Sequence, residues 1–413
     1  MERSAGNALR WLRDDRQVAF AVVTMAFSSF ATLGFPVLIP TIRGELHLSP
    51  AAVGSIASAT YVAALLTAVP SGRMADRFGA EPMIGISQLA IGAGLLIVAI
   101  SNGAIGFFSG VALAGAGYGI VTPATNLVAM NTSAVRSRGP IMSVKQAGVT
   151  VGGILAGAIL PGVAALAGWR TAILLPVGCS AFVAGWVLLR RRTGTARERV
   201  MPAPPATRRG VAGGAGPATG MRSAAALGCY GFLMSGTQFV IFSYLALYLV
   251  DRHGQSTTLA GSELSLAFIG ASVGRLVWGV VSDRVFAARA SALQLAATGT
   301  CVAIALIPVL VGGSVTVPFL LLLGFCSVGW NGVFQAVVAD STSYANLGRA
   351  SGLGLGAIYL GAVLVPPAFG LVLHLTTSWA DSWLLAAVCP AATILVFRVA
   401  GRSRAVTLQQ EPA

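Results

Sequence analysis

Apolar residues run in stretches of roughly 20 along the whole chain, broken by short polar turns. Each stretch is long enough to cross about 30 Å of hydrocarbon as a helix. The pattern predicts twelve such spans, near 17–39, 51–71, 83–101, 104–130, 141–166, 171–189, 223–249, 261–281, 291–311, 314–340, 351–375 and 382–400. The third and fourth are parted by little more than Ser101-Asn102-Gly103, and the ninth and tenth by Gly312-Gly313, so the tightest turn recurs at the same place in each half. The longest break is 190–222, rich in Arg, Pro, Ala and Gly and without apolar periodicity. It predicts a cytoplasmic linker between a six-helix bundle over 1–189 and a second over 223–413 with its short tail. The expected fold is therefore an all-α membrane protein of two pseudo-symmetric bundles.

A charged punctuation mark supports duplication. Gly72-Arg73-Met74-Ala75-Asp76-Arg77 ends the second span, and Gly279-Val280-Val281-Ser282-Asp283-Arg284 ends the eighth, 207 residues later. Membrane chains built from such repeats are commonly transporters.

Composition agrees with the pattern. Hydrophobic residues make up 55% and charged residues 10% of the 413, with a mean hydropathy of +0.80, whereas a soluble domain carries about 25% charge. The net charge of +14 is a topology signal rather than a nucleic-acid footprint: 24 of the 27 Lys and Arg fall on one side of the twelve spans. Only Arg43, Arg170 and Arg252 fall on the other, which places both termini in the cytoplasm of a multi-pass protein of the inner or plasma membrane. Arg3, Arg10, Arg13 and Arg16 precede the first span and no cleavage site follows, so that span is expected to be retained.

Catalytic chemistry finds no support. The five cysteines, Cys179, Cys229, Cys301, Cys326 and Cys389, lie within spans without a Cys-x-x-Cys pair, and His47, His253 and His374 are far apart. No Ser-His-Asp, Walker or Rossmann pattern occurs, so neither enzyme nor ATP-driven pump is expected, and no cofactor or metal.

Two cations fall inside spans, where charge is costly and marks function. Arg275 lies eight residues before Asp283, about 12 Å deeper along the helix. Lys145 is the only lysine and stands inside the fifth span. The acids Asp76, Asp283 and Asp340 map to cytoplasmic helix ends and Glu263 to the outer end of the eighth span; none is mid-span. A positive interior suits an anionic small molecule. Further polar or aromatic candidates are Tyr118, Asn126, Gln146, Gln238, Trp330, Asn331, Gln335 and Tyr359, although amides in bundles often join helices instead. Gln146 adjoins Lys145, and Asn331 lies among Gly329, Trp330 and Gly332.

Twelve spans, the basic linker and the repeated Gly-x-x-x-Asp-Arg resemble the major facilitator superfamily over the whole chain. Its signature is Gly-x-Leu-Ala-Asp-Arg-x-Gly followed by basic residues; here Gly72, Ala75, Asp76, Arg77 and Gly79 match, while Ala80-Glu81-Pro82 replace the basic run. The resemblance implies a monomeric secondary carrier working by alternating access, with coupling to a proton or sodium left open. Gly72 is expected to let the second helix approach a helix of the other half closely. Asp76 is expected to latch the cytoplasmic side by pairing with Arg136 or Arg138, and Asp283 with Arg349, the basic Arg77 and Arg284 completing each copy.

The block Gly274-Arg275-x-x-x-Gly279-x-x-Ser282-Asp283-Arg284 also resembles the eighth helix of oxalate/formate-type and monocarboxylate transporters. There the arginine matching Arg275 contacts the substrate carboxylate. Their additional lysine has no counterpart in the eleventh span here. The ending Gly148-Val149-Thr150-Val151-Gly152-Gly153 resembles drug/proton antiporters, whose Pro is replaced by Val149 and whose fourth-helix arginine is replaced by Val111. A multidrug or metabolite efflux pump is thus the alternative, and a transporter-like ligand sensor the lesser one.

Overall fold

The computed structural model describes residues 16–130, 138–192, 217–285, 289–340 and 347–408. Among the described residues every regular element is a helix: α1 (Arg16–Leu46), α2 (Pro50–Phe78), α3 (Ala80–Ile100), α4 (Ala104–Met130), α5 (Arg138–Ala167), α6 (Trp169–Arg192), α7 (Pro217–His253), α8 (Thr257–Arg284), α9 (Arg289–Leu310), α10 (Thr316–Gly329), α11 (Asn331–Asp340), α12 (Leu347–Thr376) and α13 (Trp379–Leu408). They supply twelve membrane-crossing lengths, because α10 and α11 share one. Large apolar side chains stay exposed, such as Leu66 at 70% and Leu166 at 91%. Such a surface is stable only against hydrocarbon.

The chain divides into two compact units. The first holds residues up to Leu48, Ala59–Arg208 and Gly254–Phe268; the second holds Ser49–Ser58, Arg209–His253 and Ile269–Ala413. The opening turns of α2 and of α8 therefore each join the unit containing the other sequence half. In the second unit, the Tyr244 hydroxyl on α7 donates to the carbonyls of Pro50 (2.7 Å) and Pro366 (3.1 Å). The Ser58 hydroxyl on α2 donates to the Val363 carbonyl of α12 at 2.5 Å. In the first unit, Ser265 of α8 donates to the Ile154 carbonyl of α5 at 3.0 Å.

Close packing inside the first unit follows from small residues. A Cβ on Gly148 of α5 would stand 2.6 Å from the Val22 carbonyl oxygen of α1. Without a side chain the two backbones can touch, and dispersion holds helices together where lipid offers no hydrophobic drive. Gly72 behaves otherwise: a Cβ there would meet only Pro123 at 3.9 Å, an ordinary contact.

Polar clamps tie the ends of the first unit. Arg190 is 8% exposed; its Nε donates to Glu81 Oε1 at 2.8 Å, another nitrogen reaches Gln17 Oε1 at 2.8 Å, and its carbon lies 4.6 Å from the Phe20 ring centre. Arg190, read from sequence as the start of the linker, thus belongs to α6 and joins α1 and α3. It also gives Glu81, which interrupts the basic run of the signature, a partner. At the opposite ends of the same helices, Glu45 accepts from Trp169 Nε1 and pairs with Arg170. Arg170 also reaches the Ser101 carbonyl at 3.0 Å.

Candidate substrate-binding cations and their surroundings

Lys145 is 1% exposed on α5. Its Nζ donates to Asn126 Oδ1 of α4 at 2.5 Å, so the ammonium is held inside the unit rather than reaching outward along its stem. The neighbouring Val144 packs against the buried pair Val18 and Ala129, which keeps the immediate setting apolar and strengthens any polar contact made there. Gln146, the next residue, is half-buried. The first unit thus brings together Lys145, Gln146 and Asn126 of the sequence candidates.

The second unit assembles its candidates around an interruption. The span predicted as one helix over 314–340 stops at Gly329 and restarts at Asn331. Nearby carbonyls find side-chain donors: Trp330 Nε1 donates to Ser327 O (2.8 Å), and Asn331 Nδ2 to Val328 O (3.0 Å). Broken helices persist in membranes where such donors replace lost backbone bonds. Asn331 Nδ2 also donates to Gln238 Oε1 of α7 at 3.0 Å, so these two candidates bond to each other and join helices. Trp330 is fully buried, against the rings of Tyr230 and Phe334. Tyr359 on α12 is 5% exposed.

Arg275 lies opposite this interruption. A Cβ on Gly274 would be 2.6 Å from the Phe325 carbonyl oxygen and 3.2 Å from the Gly329 Cα, and one on Gly332 would be 4.0 Å from the Arg275 carbonyl oxygen. Trp278, one turn beyond Arg275 on the same helical face, donates its Nε1 to Phe325 O at 3.0 Å. Arg275 itself is half-buried. Its backbone is therefore fixed against the one spanning segment whose helix breaks among the described residues.

The expected latch pairings lie outside the described residues. Asp76, Asp283, Arg138 and Arg349 lie on helices, but their side chains fall outside the described set, as does Arg136 altogether. Arg77 is exposed, 5.3 Å from the Phe78 ring centre, and Arg284 is exposed. Sequence reading missed the Arg190–Glu81–Gln17 clamp and the role of Trp278. Opposite charges at the same ends of α3 and α6 were the signal for the first; the second had none, because helix pairing decides it.

The family profile described as "Major Facilitator Superfamily" matches residues 18–366 and 227–413. Multidrug resistance protein 1 of Bacillus subtilis (strain 168) is 26% identical over 135 residues, 32% of this chain and 35% of that protein. The match thus spans about a third of that relative's length. Among solved structures, a bacterial homologue of the human lysosomal transporter Spinster, inward-facing and occupied, superposes with a TM-score of 0.76 at 14% identity, covering 93% of this chain and 96% of the other. A point mutant of the nucleoside transporter NupG gives 0.72 at 16%, covering 93% and 99%. A POT family transporter in complex with 5-aminolevulinic acid gives 0.73 at 13%, covering 93% and 96%. With a profile over nearly the whole chain, twelve spans and this shared fold, the chain belongs to the major facilitator superfamily and is a multi-pass membrane transporter.

Proposed function

We propose that this transporter carries a small organic anion by alternating access, in a cell membrane with both termini cytoplasmic. Arg275 is the primary carboxylate contact, and Lys145 supplies a second positive charge. The observation that carries the reading is that Lys145 of the first unit is buried and that Arg275 of the second lies inside a spanning segment, against the irregular turn of the tenth span. A guanidinium can grip a carboxylate with two parallel hydrogen bonds, while an ammonium acts as a compact point charge. Gln146, Asn126, Gln238, Asn331, Trp330 and Tyr359 shape the surroundings.

Asp76 and Asp283 act in this scheme as latches at the C-terminal ends of α2 and α8, with Arg138 and Arg349 as partners. Anion binding neutralises the two cations and so favours closure around the substrate. The test is uptake of carboxylates into proteoliposomes by Arg275→Gln. A drop on the order of tenfold to a hundredfold is expected, the size of one lost charge-assisted contact. Full retained carboxylate uptake would overturn the reading. The second reading, efflux of lipophilic compounds, is favoured by the partial match to Multidrug resistance protein 1; clear preference of the wild type for lipophilic cations would select it.

A further inference from the structure

Hydroxyls in this chain have a default habit: they donate back to a carbonyl three or four residues earlier. Ser28, Thr32, Thr125, Thr300, Ser327 and Ser382 all do so, which is how a helix satisfies a buried Ser or Thr locally. Thr24 and Ser29 of α1, Ser87 of α3 and Ser180 of α6 do not, and of these Thr24 and Ser180 flank Gln88 along the helices. Both are buried, at 0% and 1% exposure, and both hydroxyls have no protein partner. Between them lies Gln88 of α3, 1% exposed. Its Nε2 donates to Ser28 Oγ at 2.8 Å, while Oε1, the other end of the same planar amide, is buried without a donor.

These three groups share one seam. Thr24 precedes Ser28 by one turn on α1, and the bond to Ser28 fixes Gln88 beside that turn. Gly92 follows Gln88 by one turn on α3, and its Cβ would stand 3.7 Å from Ser180 Cβ. The orphan oxygens are thus spread about one turn, roughly 6 Å, to either side of Gln88. Direct bonds over that spread are out of reach, but water reaches two or more partners at once. All the groups are neutral, which suits water better than a cation, whose desolvation asks for a counter-charge. The corresponding contacts of the second unit are closed directly, the Tyr230 hydroxyl of α7 donating to Leu293 O of α9 at 3.0 Å and Cys301 Sγ of α9 to Ala387 O of α13 at 3.4 Å.

We propose that the first unit holds two internal waters on the two lone pairs of Gln88 Oε1, one reaching toward the Thr24 hydroxyl and one toward the Ser180 hydroxyl, which together fasten α1, α3 and α6. Each water donates one hydrogen to Gln88 Oε1 and accepts from, or donates to, its hydroxyl as that rotates. The site is independent of Arg275 and Lys145, so transport should survive its loss. The test is thermal unfolding of the full chain in detergent for Thr24→Val, Ser180→Ala and the double variant. Each single change should lower the midpoint by a few degrees. The double should cost clearly less than the sum, because residues that share a partner are coupled whereas separated ones add. Gln88→Leu should erase the difference between Thr24 and Thr24→Val backgrounds. A high-resolution map should show density within hydrogen-bond distance of Gln88 Oε1, and exchanging sodium for choline should leave every midpoint unchanged. Strict additivity, a map in which protein atoms fill that position, or a sodium-dependent midpoint would each overturn the water site, the last in favour of a bound cation.

Discussion

The two halves of this duplicated chain carry their buried polarity differently. The fourth span, α4, runs unbroken from Ala104 to Met130 and offers Asn126 to a fully buried lysine. Its repeat partner, the tenth, breaks at Trp330 and lies against the backbone of a half-buried arginine. One half holds a point charge in an intact helical frame; the other sets a fork-shaped cation beside a buried irregular turn whose carbonyls take side-chain donors. Duplication therefore preserved the scaffold and the Gly-x-x-x-Asp-Arg punctuation while the interiors diverged. That is expected where lipid-facing geometry is constrained by the bilayer and the interior by the cargo.

The largest test of this contrast is in transport. Arg275→Lys should lower carboxylate uptake by about tenfold or more although it keeps the charge, because the two-pronged geometry is lost. Lys145→Arg should retain more uptake than Lys145→Ala, since only charge is asked of that position. Equal responses of the two sites to charge-conserving exchange would erase the distinction between the halves.

Stability gives the next effect. Arg190→Met leaves Glu81 buried beside α1 with no opposite charge from α6, which should cost about 3 kcal/mol in equilibrium unfolding. Adding Glu81→Leu should recover most of that loss, as replacing a buried pair by apolar residues often does. If the double variant unfolds as readily as the single, the pair is not the source of the cost.

The smallest effect belongs to the broken span. Asn331→Ala removes the donor shared by Gln238 Oε1 and the Val328 carbonyl. Interhelical amide bonds within membranes are worth about 0.6–2 kcal/mol, so unfolding should shift by about 1 kcal/mol. A larger loss, together with abolished carboxylate uptake, would promote Asn331 from helix fastening to substrate contact.

Asp76 and Asp283 were legible as a repeated pair from spacing alone, whereas Gly72 shows what spacing leaves undecided about packing. Inside the first unit Gly72 has only Pro123 within ordinary contact among the described residues, whereas Gly148 stands tight against Val22. Which glycine touches a backbone depends on how two helices cross, and crossing angles leave no mark on a single helix's sequence. Arg190 was misplaced for a related reason: a triple arginine after an apolar run looks like solvent, and only a facing Glu81 shows that the helix continues into a buried pair.

The sequence by itself determined the twelve spans, because hydrocarbon thickness turns hydrophobicity and length into position along one axis. Tertiary structure alone decided which groups meet at a given depth. It paired Lys145 with Asn126, Asn331 with Gln238 and Gln88 with Ser28, and it opened the tenth span opposite Arg275. Those choices rest on helix rotation and crossing, where a shift of one residue turns a side chain by about 100° and replaces one partner with another.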